Sequence, residues 1–225
     1  MGETDLLRHK VNEFFNDEVM GKLTDLFGSD KEFSLLGVGE GHIKFHFLKS
    51  LRNFYPSICN VAVEPNNGML QTFKDGVDTL VSDGISPVRH VWFNSPLSQS
   101  MAESPIVRNK YNIISSIHSM YHLGDFETSF NQLASLMKDK GLMIIVCKNE
   151  NLMAKIFNRF TWFAGKTQSN EQLSSKNVQN FAESNGYDVT NYEIFMHWDI
   201  TDVFDDQSEF GNKLLDFFTQ VAYFR

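Results

Sequence analysis

Apolar residues recur at spacings of three and four through Leu7, Val11, Phe14, Phe15, Val19, Leu23 and Leu26, which predicts a helix over residues 5 to 27. The polar stretch FGSDKE ends it, and FSLLGV after it has the continuous apolar character of a strand. Three glycines follow within five positions, Gly37, Gly39 and Gly41, and helical spacing then returns through Ile43, Phe47, Leu48 and Leu51. The same alternation repeats down the chain. ICNVAVEP, RHVWFN, YNIISSI and GLMIIVCK read as strands, while NNGMLQTFKDGV and DFETSFNQLASLMKD read as helices. Strands alternating with helices of about a dozen residues predict parallel strands joined by crossover helices, hence a three-layer α/β sheet. Near-continuous apolar runs such as NVAV and LMIIV fit strands buried on both faces.

Beyond the fifth strand the pattern loosens. NENLMAKIFNRFTWF has the spacing of an amphipathic helix, and SSKNVQNFAESNGY that of a short helix with serine caps and Asn185-Gly186 as its stop. VTNYEIFMHWDI predicts a sixth strand, and SEFGNKLLDFFTQVA a last helix. Neither an internal repeat nor a low-complexity tract divides the chain, so residues 1–225 are expected to form one domain.

A formal net charge of −8 and a pI near 5.3, with Lys and Arg scattered singly, argue against a nucleic-acid partner. Cys59 and Cys147 each sit in an apolar segment and read as buried small hydrophobes. With no signal-peptide pattern and no apolar run of spanning length, a cytoplasmic protein without membrane contact is expected. A monomer is expected too. His118 and His122 are four apart, as are His42 and His46, but no third ligand accompanies either pair, so no metal is expected.

The chemistry centres on the glycine turn. A dinucleotide fingerprint needs a glycine at position 42, where this chain has His42. Glu64 closes the second strand, where a carboxylate accepts both hydroxyls of a ribose. The combination suits an adenosine ligand that has no pyrophosphate. Each feature has a plainer reading, the glycines as a tight turn and Glu64 as a cap for the helix after Pro65. Their joint position in one βαβ unit favours the ligand.

LLGVGEG, AVEPNNGML, YNIISSIHSMYHLGD, LMIIVCKNE and MHWDITDVFDD with NKLLDFFT together resemble the histamine N-methyltransferases and their carnosine-methylating relatives, from about Phe14 to Thr219. These belong to the S-adenosylmethionine-dependent class. The resemblance implies a Rossmann-like methyltransferase sandwich with a mostly parallel sheet, ending before the family's last antiparallel strand. It implies S-adenosylmethionine as the cofactor, with Gly37 and Gly39 at the methionine moiety, Glu64 at the ribose, Met69 on the neighbouring helix and Ile117 contributing backbone. Asn94 and Ser98 would face the adenine.

On the acceptor side the resemblance implies that the loop after the fourth strand holds a small amine or imidazole substrate. The family's glutamine and second tyrosine there are His118 and His122 in this chain, with Tyr121 retained between them. A histidine donates, accepts and titrates near neutral pH, so His118 and Tyr121 are the expected catalytic pair, with His118 working neutral. Met153, Phe157 and Phe217 stand where the family packs aromatic groups around its imidazole, so 150–172 and 205–225 are expected to form the substrate-side wall. Leu7 occupies the position nearest the family's acidic arm, and the chain stops at Arg225 before the family's substrate-binding asparagine. These departures keep two further readings open: an imidazole dipeptide or another small molecule as acceptor, and a protein that binds the donor without turnover.

Overall fold

The computed structural model describes residues 3–28, 30–39, 41–81, 88–99, 109–149, 173–195 and 199–219. The predicted N-terminal helix forms as α1 (Glu3–Phe14) and α2 (Met20–Phe27), joined by one π-helical turn over Phe15–Val19. Strands and helices then alternate: β1 (Phe33–Gly39), α3 (Gly41–Leu51), β2 (Ile58–Val63), α4 (Asn67–Val81), β3 (Val88–Phe93), β4 (Tyr111–Ile117), α5 (Phe126–Ser135) and β5 (Met137–Val146). After them come α6 (Ser175–Ser184) and α7 (Glu209–Thr219).

Every strand pairing is parallel, in the order β3-β2-β1-β4-β5. From β1 the chain winds outward through β2 and β3, then returns to the other side of β1 as β4. This reversal between β1 and β4 is the switch point of a doubly wound sheet, and the crevice beyond the strands' carboxyl ends is where such folds bind ligands.

Successive strand residues point to opposite faces, so a strand with apolar residues on both faces supplies two cores. Leu35, Ala62, Ile113 and Ile117 pack under α1 to α4 with Val11, Phe15, Leu23, Phe47, Leu48 and Phe73. Leu36, Val61, Val63 and Ile114 pack on the other face with Phe130 and Leu133 of α5 and Ala182 of α6. These are the three layers the alternation predicts.

The amino-terminal edge of the sheet is closed by its own polar groups. Asn112 Oδ1 accepts from the Ser34 backbone and hydroxyl at 2.8 and 2.9 Å, while its amide donates to Asp30 Oδ2 at 2.8 Å. Lys138 reaches both Asp30 and Asn112, at 3.1 and 2.9 Å. The Asn112 hydrogen bond, with Lys138, holds the Asp30 carboxyl below the usual carboxylate range.

Two predicted boundaries shift. The end of the helix expected over DFETSFNQLASLMKD is strand, because β5 already starts at Met137 and absorbs an irregularity in which Tyr111 pairs with Met137 but Ile113 with Leu142. Lys140 takes φ 61 there. The sixth strand does not form over 189–195, 199 or 200. This stretch engages the N-terminal helix by side chains instead: Tyr192 packs on Phe14 at 4.5 Å and donates to Glu18 at 3.0 Å, and Ile194 joins the first core.

Between β2 and β3, Asn60 Nδ2 lies 3.1 Å from His90 Nδ1, and the His90 ring stacks on Trp92 at 5.0 Å. Burial, with Arg52 nearby, pushes the His90 imidazole down to about 4 against the opposing pull of Asp78. A depressed histidine contributes stability that is complete above its unfolded value near 6.5 and is lost as pH falls toward 4. Urea-unfolding free energy should therefore drop by about 1–2 kcal/mol across that window, after allowance for solvent screening of a partly exposed ring. His90→Phe should flatten the slope; an unchanged slope would show that His90 is not its source.

Candidate functional site

Register brings the expected donor residues to one edge. Val38 pairs with Val63, and Gly39 pairs with Ile117, which in turn pairs with Val146. The ends of β1, β2, β4 and β5 therefore lie side by side, with Gly37 two residues inside the edge and Glu64 directly after β2.

Gly39 has φ 86, a backbone region that side chains rarely adopt. A Cβ there would also collide with the Ser119 Cβ and come within 2.7 Å of its Oγ. The glycine requirement at this position is thus set within the protein, by the turn and by Ser119. Ser119 was not among the residues expected from sequence; its signal was the buried pair Ser116 and Ser119, three apart at the end of an apolar strand.

Glu64 is only 7% exposed. Its backbone N–H donates to Phe93 O at 3.0 Å, prolonging the β2–β3 ladder by one residue, and Oε1 accepts from Asn66 N at 2.8 Å. Cap duty for α4 falls to Asn66, whose Oδ1 accepts from Met69 N at 3.1 Å. Glu64 shapes the turn with one oxygen, and no described residue engages the other. Asn94 donates through Nδ2 to the carbonyls of Glu64 and Pro65, both at 3.0 Å, so its amide tethers the loop that carries the carboxylate. Met69 is half exposed on the first turn of α4, Ser98 is exposed, and Ile117 is fully buried.

His118 follows β4 with φ 48, and its backbone N–H donates to Val146 O at 2.8 Å. A non-glycine residue in the left-handed region costs about 1–3 kcal/mol and persists where its surroundings over-determine it. His122 does not share a regular helical turn with His118. It ends the 3₁₀ turn Met120–His122, exposed, with its ring edge-on to Tyr121 at 4.5 Å.

Tyr121 is half-buried, and Lys148 Nζ stands 5.7 Å from its ring centroid. Lys148, also missed from sequence, lies just past β5; its signal was that position, since residues directly beyond the carboxyl ends of parallel strands border the ligand crevice. Burial pushes the thiol of its neighbour Cys147 up to about 11, against the opposing pull of Lys148. Leu7 packs against the first core. Met153 and Phe157 lie outside the described residues, as does the 150–172 wall; Phe217 lies on α7. Among the described residues there is no group of three or more His, Cys, Asp or Glu side chains that could hold a metal, and no helix is long and apolar enough to cross a membrane.

The doubly wound parallel sheet is of the methyltransferase type, and the chain belongs to the Methyltransferase domain family, which matches residues 7–192. Histamine N-methyltransferase of Danio rerio is 26% identical over 221 residues, covering 95% of this chain and 75% of that protein. The Cavia porcellus histamine N-methyltransferase is 23% identical over 223 residues, with the same coverage. A solved structure, YjhP from E. coli, aligns with TM-score 0.47 at 16% identity, covering 81% of this chain and 73% of that one.

Proposed function

We propose that this protein is an S-adenosylmethionine-dependent N-methyltransferase whose acceptor is a neutral nitrogen of a small amine or imidazole compound. One observation carries the reading: Glu64, buried at the end of β2 with one oxygen left unengaged by any described residue, stands at the same sheet edge as the Gly39 turn and Ile117. That donor set fits an adenosine ribose and a methionine chain. When bound, the cofactor supplies a methyl group on a positively charged sulfur.

The chain's residues bind and orient. The Glu64 carboxylate accepts from the ribose hydroxyls while Oε1 keeps its hydrogen bond to Asn66 N. Gly37 and Gly39 offer backbone without side chains, Ile117 offers its backbone at the end of β4, and Met69 supplies apolar surface from the neighbouring helix. His118 and Tyr121 face the acceptor nitrogen. Neutral His118 takes up its proton, and Tyr121 orients it by hydrogen bond. The charge of Lys148 beside Tyr121 disfavours a second cation there, which supports a neutral nitrogen as the nucleophile.

Leu7 favours a second reading, because an apolar side chain packed on the core offers nothing to a substrate ammonium. That reading is an imidazole dipeptide or other acceptor, or donor binding without turnover. Methyl-labelled S-adenosylmethionine incubated with a panel of amines, imidazole dipeptides and oxygen acceptors separates the cases. Methylation of a simple amine or imidazole is expected; label on imidazole dipeptides or oxygen acceptors alone, or donor binding with no product, would move the conclusion to the second reading.

A further inference from the structure

We propose that Ser119 is a positioning residue, which fixes the spacing between the glycine turn after β1 and the loop carrying His118 and Tyr121 through a buried hydrogen-bond relay from Ser116. The proposal rests on the methyltransferase function proposed for this site. Ser116 is fully buried and Ser119 is 6% exposed. Ser119 Oγ donates to Val38 O at 2.8 Å, and Ser116 Oγ lies 2.8 Å from Ser119 Oγ. A hydroxyl has a single proton, and that of Ser119 is committed to Val38. Ser116 is therefore the donor, and the relay runs Ser116 to Ser119 to Val38, each bond polarising the next.

Its two ends hold the two halves of the site. Val38 O belongs to the peptide that enters Gly39, and the Ser119 side chain fills the side on which Gly39 has no Cβ. In the other direction Ser119 directly follows His118, whose own N–H is tied to Val146 O on β5. His118 is thus held by β5 through its backbone and by β1 through its neighbour. That double attachment is the over-determination its left-handed conformation needs. Ser119 is a positioning residue because its hydroxyl is committed within the protein, yet a loosened relay moves the acceptor groups relative to the donor turn.

Three variants test it: Ser119→Ala, which removes the relay; Ser119→Cys, which keeps a weak donor; and Ser116→Ala, which leaves the bond to Val38. In donor-free protein, Ser119→Ala should speed amide hydrogen exchange in residues 37–39 and 118–122 together, with the remaining sheet unchanged. In the assay its kcat should fall about ten- to a hundredfold, as expected for a misplacement of the reacting groups. Donor affinity should fall less than kcat, Ser119→Cys should recover part of the loss, and Ser116→Ala should fall between. A lower unfolding midpoint with kcat and exchange of the two segments unaltered would overturn the proposal, as would kcat and donor affinity falling in parallel. If wild type transfers no methyl group, the proposed function fails, and the exchange measurement alone decides the relay. If Ser119→Ala does not fold, the cysteine variant carries both readouts.

Discussion

Replacing His118 by alanine is expected to lower turnover by about ten- to ten-thousandfold, the range for a group that moves a proton in the transition state, while donor affinity stays where it is. The expectation starts from position. His118 is the first residue beyond β4, at the sheet edge that also holds Gly39 and Glu64. It takes φ 48, and the surrounding structure holds it there through Val146 O. Strain retained at a strand end facing a ligand crevice is a reason to infer function, since a glycine or asparagine would meet the same backbone need more easily. His118→Gln is the informative partner. Glutamine keeps a donor and an acceptor but cannot titrate near neutral pH. It should retain orientation of the acceptor, restore part of the rate, and remove a limb of the pH–rate profile. Unchanged rates and profiles in both variants would leave His118 with a structural part only.

Much of this fold is legible in the sequence for a simple reason. In β1, β2 and β4 nearly every residue is buried, and short apolar runs such as Leu35–Leu36, Val61–Val63 and Ile113–Ile114 suit a strand covered on both faces. The helix after Leu173 is marked as clearly: Ser174 and Asn177 form a reciprocal capping box, and Gly186 stops the helix at φ 82. The glycine turn and Glu64 are legible because the crossover topology forces strand ends together.

Misreadings arose where tertiary contacts outweighed local pattern. Met137–Lys140 continues the spacing of α5, yet pairing with Tyr111 draws it into β5. Residues 189–195 alternate like a strand, yet Tyr192 and Ile194 find their apolar partners on α1 and the first core. The bond from Ser119 to Val38 and the Lys148 approach to Tyr121 join residues from different strand ends, and no spacing along the chain encodes such a meeting.

The second large effect belongs to Glu64. If the carboxylate binds the donor's ribose as proposed, truncation to alanine deletes its charge-assisted hydrogen bonds, together worth about 1.5–3 kcal/mol or more, so affinity should weaken by about ten- to a hundredfold or more. Alanine also deprives Asn66 N of its acceptor, and a loosened turn after β2 could mimic the loss. Glu64→Gln separates the two causes, because its side-chain oxygen still accepts from Asn66 N while the negative charge is gone. If ribose binding is the cause, glutamine should bind intermediately; if only the turn matters, it should bind like wild type.

The most direct measurement is a calorimetric titration of S-adenosylmethionine into wild-type protein, Glu64→Gln and Glu64→Ala. One donor per chain should bind wild type, with affinity falling in that order across the three proteins. No binding by wild type, or one affinity shared by all three, would contradict a donor site at the carboxyl ends of β1, β2 and β4.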